Sequence, residues 1–286
     1  MRRYFQRSVL ISVLGIVWGI SLPAFADPGS ELLPSLQRIQ SRHRLIVAMP
    51  AKDSPPFFMT DGQGRTYGLD YDIAKDISSR LGVTLVIDRS APSYDATVEQ
   101  VVHHKADLAM GHLTATLKRS MQVLFTSPYL TVKHVLLVNR VAGAKLKLGE
   151  SGDPAARIAD ESFPLGVVEG SSFVAVAESE FPHARLKTFK SEPQLFEAVD
   201  KGEVIVALVD EVAARNWEES NPKFSIAVQT VIRGDRSAHI AMAVNWREQP
   251  FLSWLNFYLE TIRSEGRLAR WVHEYLEEQE WRRVAR

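Results

Sequence analysis

The chain has 286 residues, 45% hydrophobic and 24% charged, with 34 basic groups against 34 acidic ones and no cysteine. That length suits one large domain or two ordinary ones, and the balance excludes a disordered or collagen-like chain. Zero formal charge argues against a nucleic-acid partner; the lack of cysteine excludes disulfides, thiolate chemistry, a lipid-modified N-terminal cysteine and Cys-containing zinc sites.

Met1 to Ala26 reads as a cleavable signal peptide. Arg2, Arg3 and Arg7 form a basic start, Val9 to Leu22 is a 14-residue uncharged run, and Ala24-Phe25-Ala26 is a small-x-small cleavage site. The run is shorter than the roughly 20 apolar residues of a spanning helix, so cleavage is expected rather than anchoring. Arg2-Arg3-Tyr4-Phe5 has a twin-arginine look without the usual preceding Ser or Thr, which favours the general secretory route. Removing residues 1–26, three of them arginines, leaves 31 basic against 34 acidic groups. The expected product is a slightly acidic protein outside the inner membrane, in the periplasm.

From Arg44 onward short β-rich runs alternate with helical stretches, the signature of parallel α/β sheets. Leu45 to Met49 reads as a strand. Leu69, Ile73, Ile77 and Leu81 recur every four residues as a helix, with Asp70 or Asp72 as cap and Gly82 as stop. Val83 to Ile87 is a second strand; Tyr94, Val98, Val101 and Val102 make a helical stripe leading into a strand at Leu108 to Met110. Gly143 to Asp153 reads as surface connection. Leu165 to Val168 is a strand, Gly170-Ser171-Ser172 opens a helix, and Leu195 and Val199 belong to another that Gly202 ends. Val204 to Val209 is a buried strand, and Phe251 to Leu276 is helical with a break near Gly266.

Two strand ends carry polar groups: His112 and Thr114 in the first half, Asp210 in the second. In open α/β sheets ligands bind at that end. Gly111 to Arg119 joins hydroxyls, free N–H groups and a positive helix start, with the Arg119 fork suited to a carboxylate. The plainer reading is a capped surface helix with a solvated arginine. Asp210 is likewise either an N-cap, worth about 1 kcal/mol, or a partner for an ammonium, or both. Gly170-Ser171-Ser172 repeats the anion-cradle logic, although most such turns are caps. The eight histidines show no metal spacing; no nucleophile elbow or phosphate loop is present, and no metal or cofactor is expected.

Several pieces taken in order resemble a known family. They are Pro55-Pro56-Phe57, Gly68-Leu69-Asp70-Tyr71-Asp72-Ile73-Ala74, Leu81-Gly82-Val83, Lys105-Ala106-Asp107-Leu108 and Thr116-Leu117-Lys118-Arg119. Phe125-Thr126-Ser127-Pro128-Tyr129, Gly170-Ser171-Ser172, Val209-Asp210 and Gly266-Arg267-Leu268-Ala269 follow. Over Arg42 to Leu276 the chain resembles the family 3 extracellular solute-binding proteins, periplasmic receptors of polar amino acid ABC transporters. The resemblance implies a two-lobed α/β fold, the type II periplasmic binding protein or Venus-flytrap. Lobe 1 would comprise residues 42–134 and 238–286, and lobe 2 residues 140–232, with hinge strands near Val135 to Asn139 and Val231 to Asp235.

It further implies that Arg119 and Thr114 hold an α-carboxylate, helped by N–H groups near His112 and by Ser171 or Ser172. Asp210 would hold the α-ammonium from the other lobe. Ser54 stands where an aromatic commonly covers the ligand, so Phe57 or Phe58 would compensate; His112 stands where a serine is common. Lys52 and Asp53 lie close enough in sequence to contribute. The expected function is non-catalytic capture of an amino acid by a monomer that passes it to an inner-membrane ABC permease. Two alternatives remain. Cyclohexadienyl dehydratases share the fold and add a general-acid glutamate, but Gly234 to Val244 contains Asp235 and no glutamate. A sensor module would present the ligand to a membrane signalling partner instead. Lytic transglycosylases that carry such a domain need a second catalytic domain, and with ten residues after Leu276 none is expected here.

Overall fold

A computed structural model describes residues 32–145, 162–279 and 281–284. The signal peptide expected at residues 1–26 lies outside the described residues. Two five-stranded sheets with flanking helices make an α/β fold of two lobes. The first sheet runs β4 (Thr84–Ala91), β1 (Arg44–Pro50), β5 (Leu108–Ala109), β12 (Ala243–Asn245), β6 (Val123–Phe125). The second runs β11 (Val228–Ile240), β7 (Leu130–Asn139), β10 (Val206–Asp210), β8 (Pro164–Val168), β9 (Arg185–Phe189). A small hairpin joins β2 (Met59–Thr60) to β3 (Thr66–Tyr67).

The sheets are mixed rather than parallel as expected. β1 lies parallel to β4 and β5, and β8 parallel to β9 and β10, but β12 is antiparallel to β5 and β6. β7 is antiparallel to both β10 and β11. The chain crosses out along β7 and returns along β11, and those two passes must run in opposite directions.

Strand alternation builds a core on each face of each sheet. In β1, Leu45, Val47 and Met49 pack with Ile73 and Ile77 of the helix Leu69–Arg80 and with Leu255 and Leu259 of the helix Gln249–Ser264. Ala48 faces the other way, onto Val98 and Val101 of the helix Tyr94–Val102. In β10, Ala207 and Val209 pack with Leu195 and Val199 of the helix Glu192–Asp200, while Val206 and Leu208 meet Phe173 and Phe181.

Local chemistry departs from the sequence reading at three places. The helix Leu69–Arg80 starts at Gly68 without a side-chain cap. Asp70 is fully buried instead and accepts from the Tyr129 hydroxyl at 2.6 Å and the His112 N–H at 2.5 Å. Gly143 to Lys145 end a helix (Arg140–Lys145) rather than a loop, because the Asn139 carboxamide accepts from the Ala142 N–H at 3.0 Å; the remainder of that expected connection, through Asp153, lies outside the described residues. Of the hinge strand expected near Val135 to Asn139, residues Val135 to Val138 are paired on both sides within the second sheet. Lateral pairing to β10 stops at His134, and the β7–β11 register shifts between Arg233 and Ser237. Leu130 to Lys133 therefore continue as a two-stranded ribbon with β11.

Gly68 is required where it stands: its φ is +129°, and a Cβ would lie 2.4 Å from the Phe57 carbonyl oxygen. The helix Glu211–Ser220 ties the two halves together. Its Val212 joins the core around β1, and Asn216 Nδ2 donates to the Pro55 carbonyl at 2.7 Å. Near the C-terminus Arg282 donates to Ser220 Oγ at 2.9 Å and pairs with Glu219. No helix among the described residues is long and apolar enough to cross a membrane.

Candidate functional site

Six of the eight residues singled out in the sequence line one cavity between the sheets: His112, Thr114 and Arg119 from the first, Ser171, Ser172 and Asp210 from the second. Each arrives at an element end. His112 and Thr114 follow β5, and Arg119 belongs to the short helix Leu117–Ser120, capped by Thr116. Asp210 ends β10 and caps the helix Glu211–Ser220, Oδ1 accepting from the N–H groups of Val212 and Ala213 at 2.9 and 3.0 Å. Both readings of Asp210 are thus compatible: one oxygen caps, and the other faces the cavity.

Ser54 and Phe57 lie outside the cavity wall, contrary to expectation. The physical reason is His112. Its ring stacks on Phe57 with centroids 3.8 Å apart and a 12° interplanar angle, and Nδ1 is 3.1 Å from Ser54 Oγ. Both residues therefore support the imidazole from behind. On the cavity side His112 Nε2 stands 3.3 Å from Asp210 Oδ2. Burial pushes the His112 imidazole below its usual range, and Asp210 acts in the opposite sense. The backbone at His112 is left-handed, with φ of +56°.

Arg119 is 5% exposed, and its fork is engaged by the protein itself. Nε donates to Asp95 Oδ1 at 2.9 Å, Nη1 to the Thr114 carbonyl at 2.8 Å and Nη2 to the Gly170 carbonyl at 3.1 Å. The last bond crosses between the sheets. At the same place a Cβ on Gly170 would fall 2.8 Å from Ser93 Cβ, so only glycine allows so close an approach. The Ser171 hydroxyl donates back to the Val168 carbonyl at 2.7 Å. The remaining space is about 30 Å³, room for about two waters. A guest of amino acid size fits only after His112 and the Arg119 partners move or the lobes part.

Tyr94 and Glu192 also line the cavity; in the sequence Tyr94 reads only as part of a helical stripe, and Glu192 is not singled out. Glu192 starts the helix Glu192–Asp200, where an acidic residue ordinarily reads as a complement to the helix dipole. Burial, then the nearby Asp210 carboxylate, push its carboxyl up to about 8. Tyr94 is raised chiefly by burial. With Asp95 holding Arg119, three groups at helix starts complete the site. Their sequence signal was the common one of a helix N-terminus, which does not mark function.

A family model for bacterial extracellular solute-binding proteins, family 3, matches residues 45–278. The chain therefore belongs to that family. Among curated relatives, ABC transporter arginine-binding protein 1 of Escherichia coli (strain K12) is 21% identical over 214 residues, 74% of this chain and 82% of that protein. L-cystine-binding protein TcyJ of the same strain is 21% identical over 270 residues, 93% of each chain. Among solved structures, the ancestral amino acid-binding protein AncCDT-1, a precursor of cyclohexadienyl dehydratase, superposes with a TM-score of 0.72 at 23% identity, covering 85% of this chain and 99% of that one.

Proposed function

We propose that this protein captures an amino acid or a similar small zwitterion in the periplasm, as a monomer, and delivers it to an ABC permease without catalysis. One observation carries the reading: a guanidinium from one sheet and a carboxylate from the other, Arg119 and Asp210, line the same cavity. A zwitterion taken from water needs each pole paired, since an unpaired buried ion costs several kcal/mol. The Arg119 fork would exchange Asp95 and the two carbonyls for the α-carboxylate, with Thr114 and the Ser171–Ser172 helix start beside it. Asp210 Oδ2 would exchange the imidazole for the α-ammonium. Because the poles come from residues 42–134 with 238–286 and from residues 140–232, only a closed cleft pairs both, and the guest favours closure.

Calorimetric titration of the purified protein with an amino acid panel, with thermal shifts in parallel, tests this. The names of the relatives put arginine and cystine first in the panel. Binding of at least one member is expected; no heat and no shift with any member would refute the reading. A dehydratase-like reaction is the second reading, favoured by Glu192: a carboxyl that keeps its proton up to about pH 8 inside the cavity is a potential general acid. Incubation with prephenate or arogenate, followed by the product's aromatic absorbance, decides between them.

A further inference from the structure

His112, Glu192 and Asp210 come from three distant stretches of chain, yet one donor atom from each lies within 4.8 Å of the other two. His112 Nε2 and Asp210 Oδ2 are 3.3 Å apart. That is close to the ligand–ligand edge of a tetrahedral zinc centre with bonds of about 2.0–2.1 Å. The imidazole is held as metal-binding imidazoles are held, by an outer partner on its other nitrogen. Ser54 Oγ engages Nδ1, and Phe57 fixes the ring plane, so Nε2 is left facing the two carboxyl groups, of which Glu192 gives up its proton on binding a metal. Asp210 is divided in the same way, with Oδ1 on the two helix amides and Oδ2 turned inward. Among the described residues no hydrogen bond reaches the Glu192 carboxylate.

We propose that His112, Glu192 and Asp210 form a binding site for a divalent transition metal of the zinc class. In that site the Glu192 oxygen closes in from its present place within 4.8 Å of the other two donors. Three protein donors leave a fourth position open towards the cavity, the arrangement of an exchangeable rather than a structural zinc site. The inference does not depend on amino acid capture, and it has a consequence for it. Asp210 Oδ2 cannot hold a metal and an α-ammonium together, so metal and amino acid compete.

The test uses the full mature chain after chelator treatment, titrated with Zn²⁺ by calorimetry and with Co²⁺ by visible absorption. One equivalent of each metal is expected, with the intense d–d bands of four-coordinate Co²⁺. Glu192→Gln and His112→Ala should each weaken Zn²⁺ by more than the roughly 10- to 100-fold typical of an outer-shell loss, and Ser54→Ala by about tenfold. Absence of stoichiometric uptake overturns the proposal, as does a weakly absorbing octahedral Co²⁺ spectrum. Unchanged affinity in folded variants, meaning an adventitious surface metal, overturns it as well. The parent's Co²⁺ spectrum decides even if a variant fails to fold. Amino acid binding in chelator without metal uptake sinks this inference alone; metal uptake without amino acid binding sinks only the capture reading.

Discussion

Replacing Asp210 in two ways separates its cap from its charge. Asp210→Asn keeps a carbonyl oxygen able to accept from Val212 and Ala213, whereas Asp210→Ala strands both N–H groups in a buried setting. The alanine variant should lose about 1–2 kcal/mol of stability, and the asparagine variant much less. For a guest ammonium both changes remove the same pole. Leaving one member of a buried, hydrogen-bonded charge pair alone costs about 2–5 kcal/mol, a loss of roughly 30-fold to several thousand-fold in affinity. Urea unfolding with chelator present reads the first quantity, and calorimetric titration with the best ligand reads the second. Both variants should bind weakly and only one should unfold early. An asparagine variant that binds like the parent would refute the assignment of Asp210 to the ammonium; an alanine variant as stable as the parent would refute its role as a cap.

Arg119→Ala should weaken binding at least tenfold, and Arg119→Lys should also weaken it, because a point charge cannot replace a planar fork; the same titration measures both. Asp70 is fully buried, and burial raises its carboxyl from 3.8 to about 7 against the opposing bonds from Tyr129 and His112. The unfolded chain gives up that proton near pH 4 and the folded one near pH 7. Stability should therefore fall as pH rises through this window, by about 1.4 kcal/mol per unit for one proton, and level off above it. Glu192 adds a decline in the same direction up to about pH 8. Asp70→Asn should flatten the urea-midpoint profile between pH 4 and 7 relative to the parent; parallel profiles would contradict the shift. Gly68→Ala forces a Cβ against the Phe57 carbonyl at positive φ and should cost roughly 2–4 kcal/mol in the same unfolding assay.

Much of the scaffold was legible because it is governed by local periodicity. The four-residue recurrence of Leu69, Ile73 and Ile77 marks the face that packs on β1, and the unbroken apolar run before Asp210 marks a strand covered on both sides. Strand direction was not legible, since it depends on how the chain returns along β11. The candidate site was readable where a polar residue ends or follows an apolar strand, as with Asp210 at the end of β10 and Thr114 after β5. It was hidden where the partner is set by tertiary approach: Asp95 against Arg119, Glu192 beside Asp210, and Ser54 behind His112. Sequence spacing also shows no metal cluster, because the three donors near Asp210 meet only in three dimensions.

On the proposed capture reading, the occupied Arg119 fork would turn recognition into a swap rather than an addition. A solute bearing only a carboxylate would dislodge Asp95 and the Thr114 and Gly170 carbonyls while leaving the imidazole on Asp210 undisturbed, so it would lose contacts nearly as good as those it makes. A bare amine meets the mirror of that problem. Only a molecule bearing both groups at the right separation replaces everything it removes. Under that reading single-ended metabolites would be rejected before any side chain is inspected.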